Sequence, residues 1–184
     1  MPLDFSNGGN STATGYIRYM ASTSSWQMRG EPFNFTQAVF DLPNISTGWC
    51  LIEAGQAPEW VMDASLEQRA TRPSGEGWKR GFKVNVYSKT MFGDEEPVKE
   101  WATNSTGATM AIQQLYADWE ASKQEGKLPV VEFAGATPTK VGKGNTTVPT
   151  FKIIKYVDVP AEMNTAPISI PSTARSAEVL DAEF

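Results

Sequence analysis

Histidine is absent from this 184-residue sequence. That removes the commonest general base and the commonest metal ligand near neutral pH. Hydrolase and zinc chemistry lose their usual residues, and no acidic pair stands at a convincing spacing for a carboxylate-held metal. No catalytic residue, metal or cofactor is therefore expected, and the chain reads as a binding protein, not an enzyme. Cysteine occurs once, at Cys50, so no internal disulfide can form and a reducing compartment is the simpler expectation. No apolar run is long enough to span a membrane. The opening Met1-Pro2-Leu3-Asp4-Phe5 has none of the basic and apolar character of a secretion signal. Positive charge is also in deficit: 16 Lys and Arg against 21 Asp and Glu, a net charge of −5. Taken alone, that balance argues against a nucleic-acid partner.

The charge is sorted, however. Between Arg69 and Lys89 lie Arg69, Arg72, Lys79, Arg80, Lys83 and Lys89, with Glu76 the one acid. Between Lys140 and Lys155 lie Lys140, Lys143, Lys152 and Lys155 and no acid. Acids gather at Asp94-Glu95-Glu96 and at the C-terminus. A local basic surface on an acidic protein follows from such sorting. Aromatics make up 11 % of the chain, six of them Trp, and the apolar fraction of 40 % is enough for a core.

The stretch Gly77–Lys89 organises the rest. Trp78, Phe82, Val84 and Val86 alternate with Lys79, Lys83, Asn85, Tyr87 and Lys89. Residues two apart on a strand share a face, so this reads as one strand with an apolar and a basic side, extending toward Phe92. Gly81 marks a bend or a close approach of another backbone. Lysines beside an exposed ring suit flexible nucleic acid, charge for phosphates and ring for a base. On this reading Trp78, Lys79, Arg80, Lys83, Tyr87 and Lys89, with Lys143, Lys152, Lys155 and Tyr156 from later in the chain, are the candidate contacts to single-stranded DNA.

Further strands are expected at 16–20, 26–29, 37–42, 47–53, 59–62, 98–101, 128–133 and 150–157. A helix is expected after a cap at Asn104, Ser105 or Thr106, with Ala108, Ala111, Ile112, Leu115 and Trp119 on its apolar side. Residues 134–149, rich in Gly, Thr and Lys, read as a long loop. Gly142-Lys143-Gly144 within it does not match the spacing of a nucleotide-binding loop. Trp49 and Trp119 read as core, and Trp26, Trp60, Trp78 and Trp101 stay open between core and base stacking. The expectation is a mainly β chain, an OB-fold-like five-stranded barrel with extra strands and one helix before the last strands. A flexible arm (1–14) precedes this domain (15–160), and a disordered linker with an acidic tip (161–184) follows it.

That tip places Glu178, Asp181 and Glu183 around Val179, Leu180 and Phe184. Asp181-Ala182-Glu183-Phe184 after a Pro-containing linker resembles the C-termini of bacterial and bacteriophage single-stranded DNA-binding proteins. The body also resembles phage and prophage members of that family, in Thr47-Gly48-Trp49 with Gly55-Gln56-Ala57-Pro58, in Lys79-Arg80-Gly81-Phe82-Lys83-Val84, and in the late strand ending at Val159-Pro160. The tail departs from the bacterial pattern in lacking an Asp run and a penultimate proline. The resemblance implies an OB-fold core and sequence-independent ssDNA binding during replication or recombination in the cytoplasm of an infected bacterial host. It also implies recruitment of replication or recombination proteins through Asp181, Glu183 and Phe184, and it leaves homo-oligomerisation open. A β-rich virion component or a carbohydrate-binding module is the alternative that composition permits.

Overall fold

A computed structural model of the protein describes residues 13–163. Most of the expected arm and the whole acidic tip lie outside the described residues. Ten strands form a single sheet: β1 (Tyr16–Met20), β2 (Ser25–Met28), β3 (Glu31–Phe33), β4 (Gln37–Phe40), β5 (Ser46–Leu51), β6 (Glu59–Met62), β7 (Lys79–Tyr87), β8 (Val98–Thr103), β9 (Lys127–Val141) and β10 (Gly144–Asp158). Two helices join them, α1 (Lys89–Phe92) and α2 (Thr106–Ser122).

The sheet order is β10-β9-β4-β7-β8-β1-β2-β3, with β5 paired to β7 and β6 to β5. The strand picked out by its alternation is at the centre of this order. Phe82, Val84 and Val86 are buried and pair with Thr103, Trp101 and Lys99 on β8. β4 and β5 pair with successive lengths of β7, Phe40 opposite Val86 and then Ser46 opposite Lys83. A 3-10 turn at Leu42–Asn44, with Pro43 near its start, separates them. Proline removes a ladder donor and fixes φ, which suits a break between two strands.

The class is the expected one, mainly β with a helix ahead of the last two strands. Closure into a barrel is not shown by the pairing: β10 ends the order, and no ladder among the described residues joins it to β8 or β1. Side chains meet there instead. Trp101 of β8 stands 5.7 Å from Phe151 of β10, ring to ring. The Thr147 hydroxyl donates to the Ala21 carbonyl at 2.8 Å, which leaves the Tyr19 hydroxyl to donate to Thr147 Oγ1 at 2.7 Å.

The core is a cluster of rings. Trp26 packs 4.6 Å from Phe35 and 5.0 Å from Trp101, and Phe82 meets Trp101 edge-on at 4.9 Å. Edge-to-face geometry places positive ring edges on negative ring faces and adds to the burial of area. Helix α2 closes one side with Ala108, Ala111, Ile112, Leu115 and Trp119, all buried. Of the three candidate caps it uses Ser105, whose hydroxyl accepts from the Ala108 N–H at 3.3 Å.

Two expectations are corrected. Residues 134–149 are not a loop but the distal half of a hairpin, β9 and β10 pairing from Lys127↔Asp158 to Val141↔Gly144. A two-residue turn closes it, with Gly142 at φ +59° in the position where such turns need a positive φ. The Thr and Val residues of this stretch favour strands, and the pairing overrides its loop-like composition. The organising strand also stops at Tyr87. Ser88 caps α1 by accepting from the Met91 N–H at 3.1 Å, so Lys89 starts a helical turn. At the other end, packed chain continues past Pro160 into a 3-10 turn at Ala161–Met163. Met163 is buried with Val39, Val98, Leu128 and Val130.

Candidate nucleic-acid interface

The ten candidate contacts do not form one surface. Lys79 and Lys83 point away from the core, as their alternation with Phe82 requires. Lys89 is paired to Glu162 at 3.1 Å, which raises the lysine pKa. Tyr87 is half-buried in the Met163 cluster. Burial, and after it the Glu162 carboxylate, pushes its phenol up. Tyr156 is half-buried, packed against the main core, with its hydroxyl 2.6 Å from Ser122 Oγ on α2. Neither tyrosine offers an open ring. Lys152 is exposed directly opposite Glu132, Lys155 is exposed opposite Val130, and Lys143 sits in the hairpin turn.

Arg80 belongs to a clasp. Both of its terminal nitrogens donate to Asp63, one of them at 2.9 Å. Asp63 also accepts from Thr47 Oγ1 at 2.6 Å and from the Ala70 N–H at 2.9 Å. The Arg80 guanidinium is the main reason the Asp63 carboxyl titrates well below the usual carboxylate range, against the opposing effect of its burial. Arg80 and Arg72 lie 5.2 Å and 5.8 Å from the Trp49 ring centroid, and the Trp49 indole donates to Ala70 O at 2.9 Å. Trp49, expected in the core, is thus half-exposed and tied to the 63–78 loop. Trp78 is half-exposed as well, its indole donating to Ser74 O at 3.2 Å. Trp26 and Trp101, left open by the sequence, are core.

The outward face of the sheet collects different aromatics. Cys50 pairs with Trp60 on one side and Lys79 on the other, so Trp60 shares a face with Lys79 and Lys83. Gly48 and Gly81 are directly opposite one another in the same ladder. A Cβ at Gly81 would stand 2.5 Å from Thr103 O and 3.0 Å from Cη2 of Trp60, and one at Gly48 would stand 2.7 Å from Val61 O. The close approach anticipated at Gly81 is therefore made by the protein itself. The missing side chain at Gly81 leaves room for the edge of the half-exposed indole, with the Lys83 ammonium 5.0 Å from its ring centroid, while the one at Gly48 leaves room for Met62.

The same face continues across β8 to β1. Ile17 and Trp101 are paired and buried, so their neighbours Tyr16 and Glu100, also paired, turn outward. Tyr16 is 70 % exposed, the largest exposure among the described large apolar and aromatic residues. Arg18 is exposed two residues further along. Four strand spacings across the sheet and six residues along it, from the Lys79 row to the Asn85 row, separate Trp60 from Tyr16 by roughly 28 Å. Between them Glu100 is half-buried; that burial raises its pKa, partly offset by Lys83. The strict alternation of Tyr16-Ile17-Arg18-Tyr19 was the available signal for Tyr16 and Arg18. Trp60 had none, because Glu59-Trp60-Val61-Met62 carries no pattern that picks a face.

No family model, curated protein or solved structure significantly matches this chain. The resemblance to single-stranded DNA-binding proteins rests on the quoted residues alone. The described residues hold no group of three Cys, Asp or Glu able to bind a metal ion. No described helix is long and apolar enough to cross a membrane. Depressions of about 440 Å³ beside Thr36 and Glu132 and about 290 Å³ between Met110 and Pro149 are shallow and carry no cluster of reactive groups. What the geometry offers is a face with one exposed ring, Tyr16, one partly exposed indole, Trp60, and cations beside them.

Proposed function

We propose that this chain binds single-stranded DNA, without requiring a defined sequence, across the outward face of β6, β5, β7, β8 and β1. The observation that carries the reading is the Trp60 indole set against the side-chain-free Gly81 with the Lys83 ammonium over its ring, on one face with exposed Tyr16 and Arg18. Stacking on an aromatic tolerates any base, and basic side chains near the rings neutralise phosphates and release counterions. Lys79 and Lys83 keep their predicted role. Trp60, Tyr16 and Arg18 replace Tyr87, Tyr156 and Arg80 as the principal contacts. A role in phage replication or recombination, with partner proteins recruited through Asp181, Glu183 and Phe184, extends the proposal on the strength of the tail sequence.

A tryptophan-fluorescence titration with a thymidine oligonucleotide at two salt concentrations, with duplex DNA as control, tests it. Saturable quenching that weakens with salt, is poorer with duplex and largely disappears in Trp60→Phe is the expected outcome. No response of the wild type at low salt defeats the proposal. A glycan stacked on Trp60, or a virion role, would then be the better account.

A further inference from the structure

The proposed face contains one residue that a phosphate-binding surface should avoid. Glu100 stands in its middle, opposite Tyr16 on β1 and Asn85 on β7, one row along from Lys83. Its carboxylate receives no hydrogen bond from any described residue, and Lys83 acts on it only at longer range. A base stacked beside it strips the water that solvates this half-buried carboxylate, which is unfavourable without a replacement donor, and placing it among phosphates adds repulsion. Both penalties are relieved by a ligand that brings a donor of its own.

Nucleobases differ in that respect. A carboxylate only accepts hydrogen bonds. Cytosine and adenine carry an exocyclic amino group, and guanine carries an amino group beside a ring N–H. Thymine presents carbonyl oxygens on either side of one ring N–H, and those oxygens repel a carboxylate. A base stacked on Tyr16 has its hydrogen-bonding edge within the neighbouring row of side chains, because adjacent strands are about 4.8 Å apart. The next row along that edge includes Glu100.

We propose that Glu100 reads the base stacked on Tyr16, accepting a hydrogen bond from its amino group, so that the face favours amino-bearing bases over thymine. The inference rests on the ssDNA reading above and sharpens it: the chain needs no defined sequence but has a compositional preference at one position. Glu100 is a specificity-determining residue here, and phosphate neutralisation stays with Lys83 and Arg18.

The test is competition between cytidine and thymidine oligonucleotides of equal length for the wild type, Glu100→Gln and Lys83→Gln. Glutamine keeps the size of glutamate and can itself donate to a thymine carbonyl. The cytidine-to-thymidine affinity ratio should fall roughly tenfold in Glu100→Gln, the size of one good base contact. It should hold in Lys83→Gln, where both affinities drop together. If Glu100→Gln raises both affinities equally and leaves the ratio unchanged, Glu100 acts only through charge repulsion and the inference fails while the ssDNA reading survives. If neither oligonucleotide binds the wild type, both fail.

Discussion

The inward and outward faces of the sheet use the same residue type for opposite ends. On the inward face Trp26 and Trp101 are 2 % and 0 % exposed, surrounded by Phe35, Phe40, Phe82 and Phe151. Their indole N–H groups have no hydrogen-bond acceptor among the described residues. On the outward face Trp60 sets an edge against Gly81 with the Lys83 ammonium over its ring, and Tyr16 is mostly in water. The difference shows that aromatic content alone says nothing about a binding surface. An inward ring is held on all sides and stabilises the fold, whereas an outward ring supported on one side has a face left for a ligand.

Truncating a ring on each side is the sharpest way to break the contrast. Trp101→Ala should cost about 3–5 kcal/mol of stability, the usual range for emptying a large aromatic site in a core. Trp60→Ala should unfold at nearly the wild-type urea concentration. If the two variants lost equal stability, the outward ring would be a core residue in disguise. The Arg80–Asp63 clasp comes next. Asp63→Asn leaves Arg80 without its charged partner; a half-accessible arginine is partly rescued by solvent, so about 2–3 kcal/mol is expected. The pH dependence has a definite sign. The Asp63 carboxyl titrates lower in the folded state than in the unfolded one, so its contribution is complete above the unfolded pKa near ~4 and is lost as pH falls below that. Acid unfolding curves should show Asp63→Asn closing the gap to wild type as the pH drops below that value. A gap that stayed constant would remove the clasp as its cause.

Smaller effects concern binding. Trp60→Ala should weaken thymidine-oligonucleotide affinity about tenfold, within the ~1–3 kcal/mol of one stacked base. The smallest contrast is between two lysines that look alike in sequence. Lys83→Ala should lower the dependence of log affinity on log salt by about one. Lys89→Ala, whose partner Glu162 already satisfies it, should leave that slope where it is. Equal slopes in both variants would show that ligand displaces Glu162 and that the face extends to Tyr87.

Much of the fold was legible because it is periodic. Phe82, Val84 and Val86 announce the inward face of β7 by their spacing, and Ala108 to Trp119 announce the packed side of α2. The site was less legible, since period two sorts residues into two faces without saying what comes alongside. By alternation Lys99 belongs with Trp101, and it is buried there, 1 % exposed, 3.3 Å from Glu96 and 3.4 Å from Thr14. Its charge gave no hint of this. Arg80 reads as a phosphate contact until Asp63 is brought beside it by the β5–β6 hairpin.

The sequence by itself determined a mainly β chain with one amphipathic helix before the last strands, the polarity of its central strand, and the exclusion of histidine-based chemistry. These are local properties, set by the side chains and by the backbone period that each segment prefers. Only the tertiary structure decided which rings are open, which lysines are already paired, and that Trp60, Lys83, Glu100 and Tyr16 share one surface. Those residues lie on four different strands, and register between strands is set by packing and pairing across the sheet, which no single segment encodes.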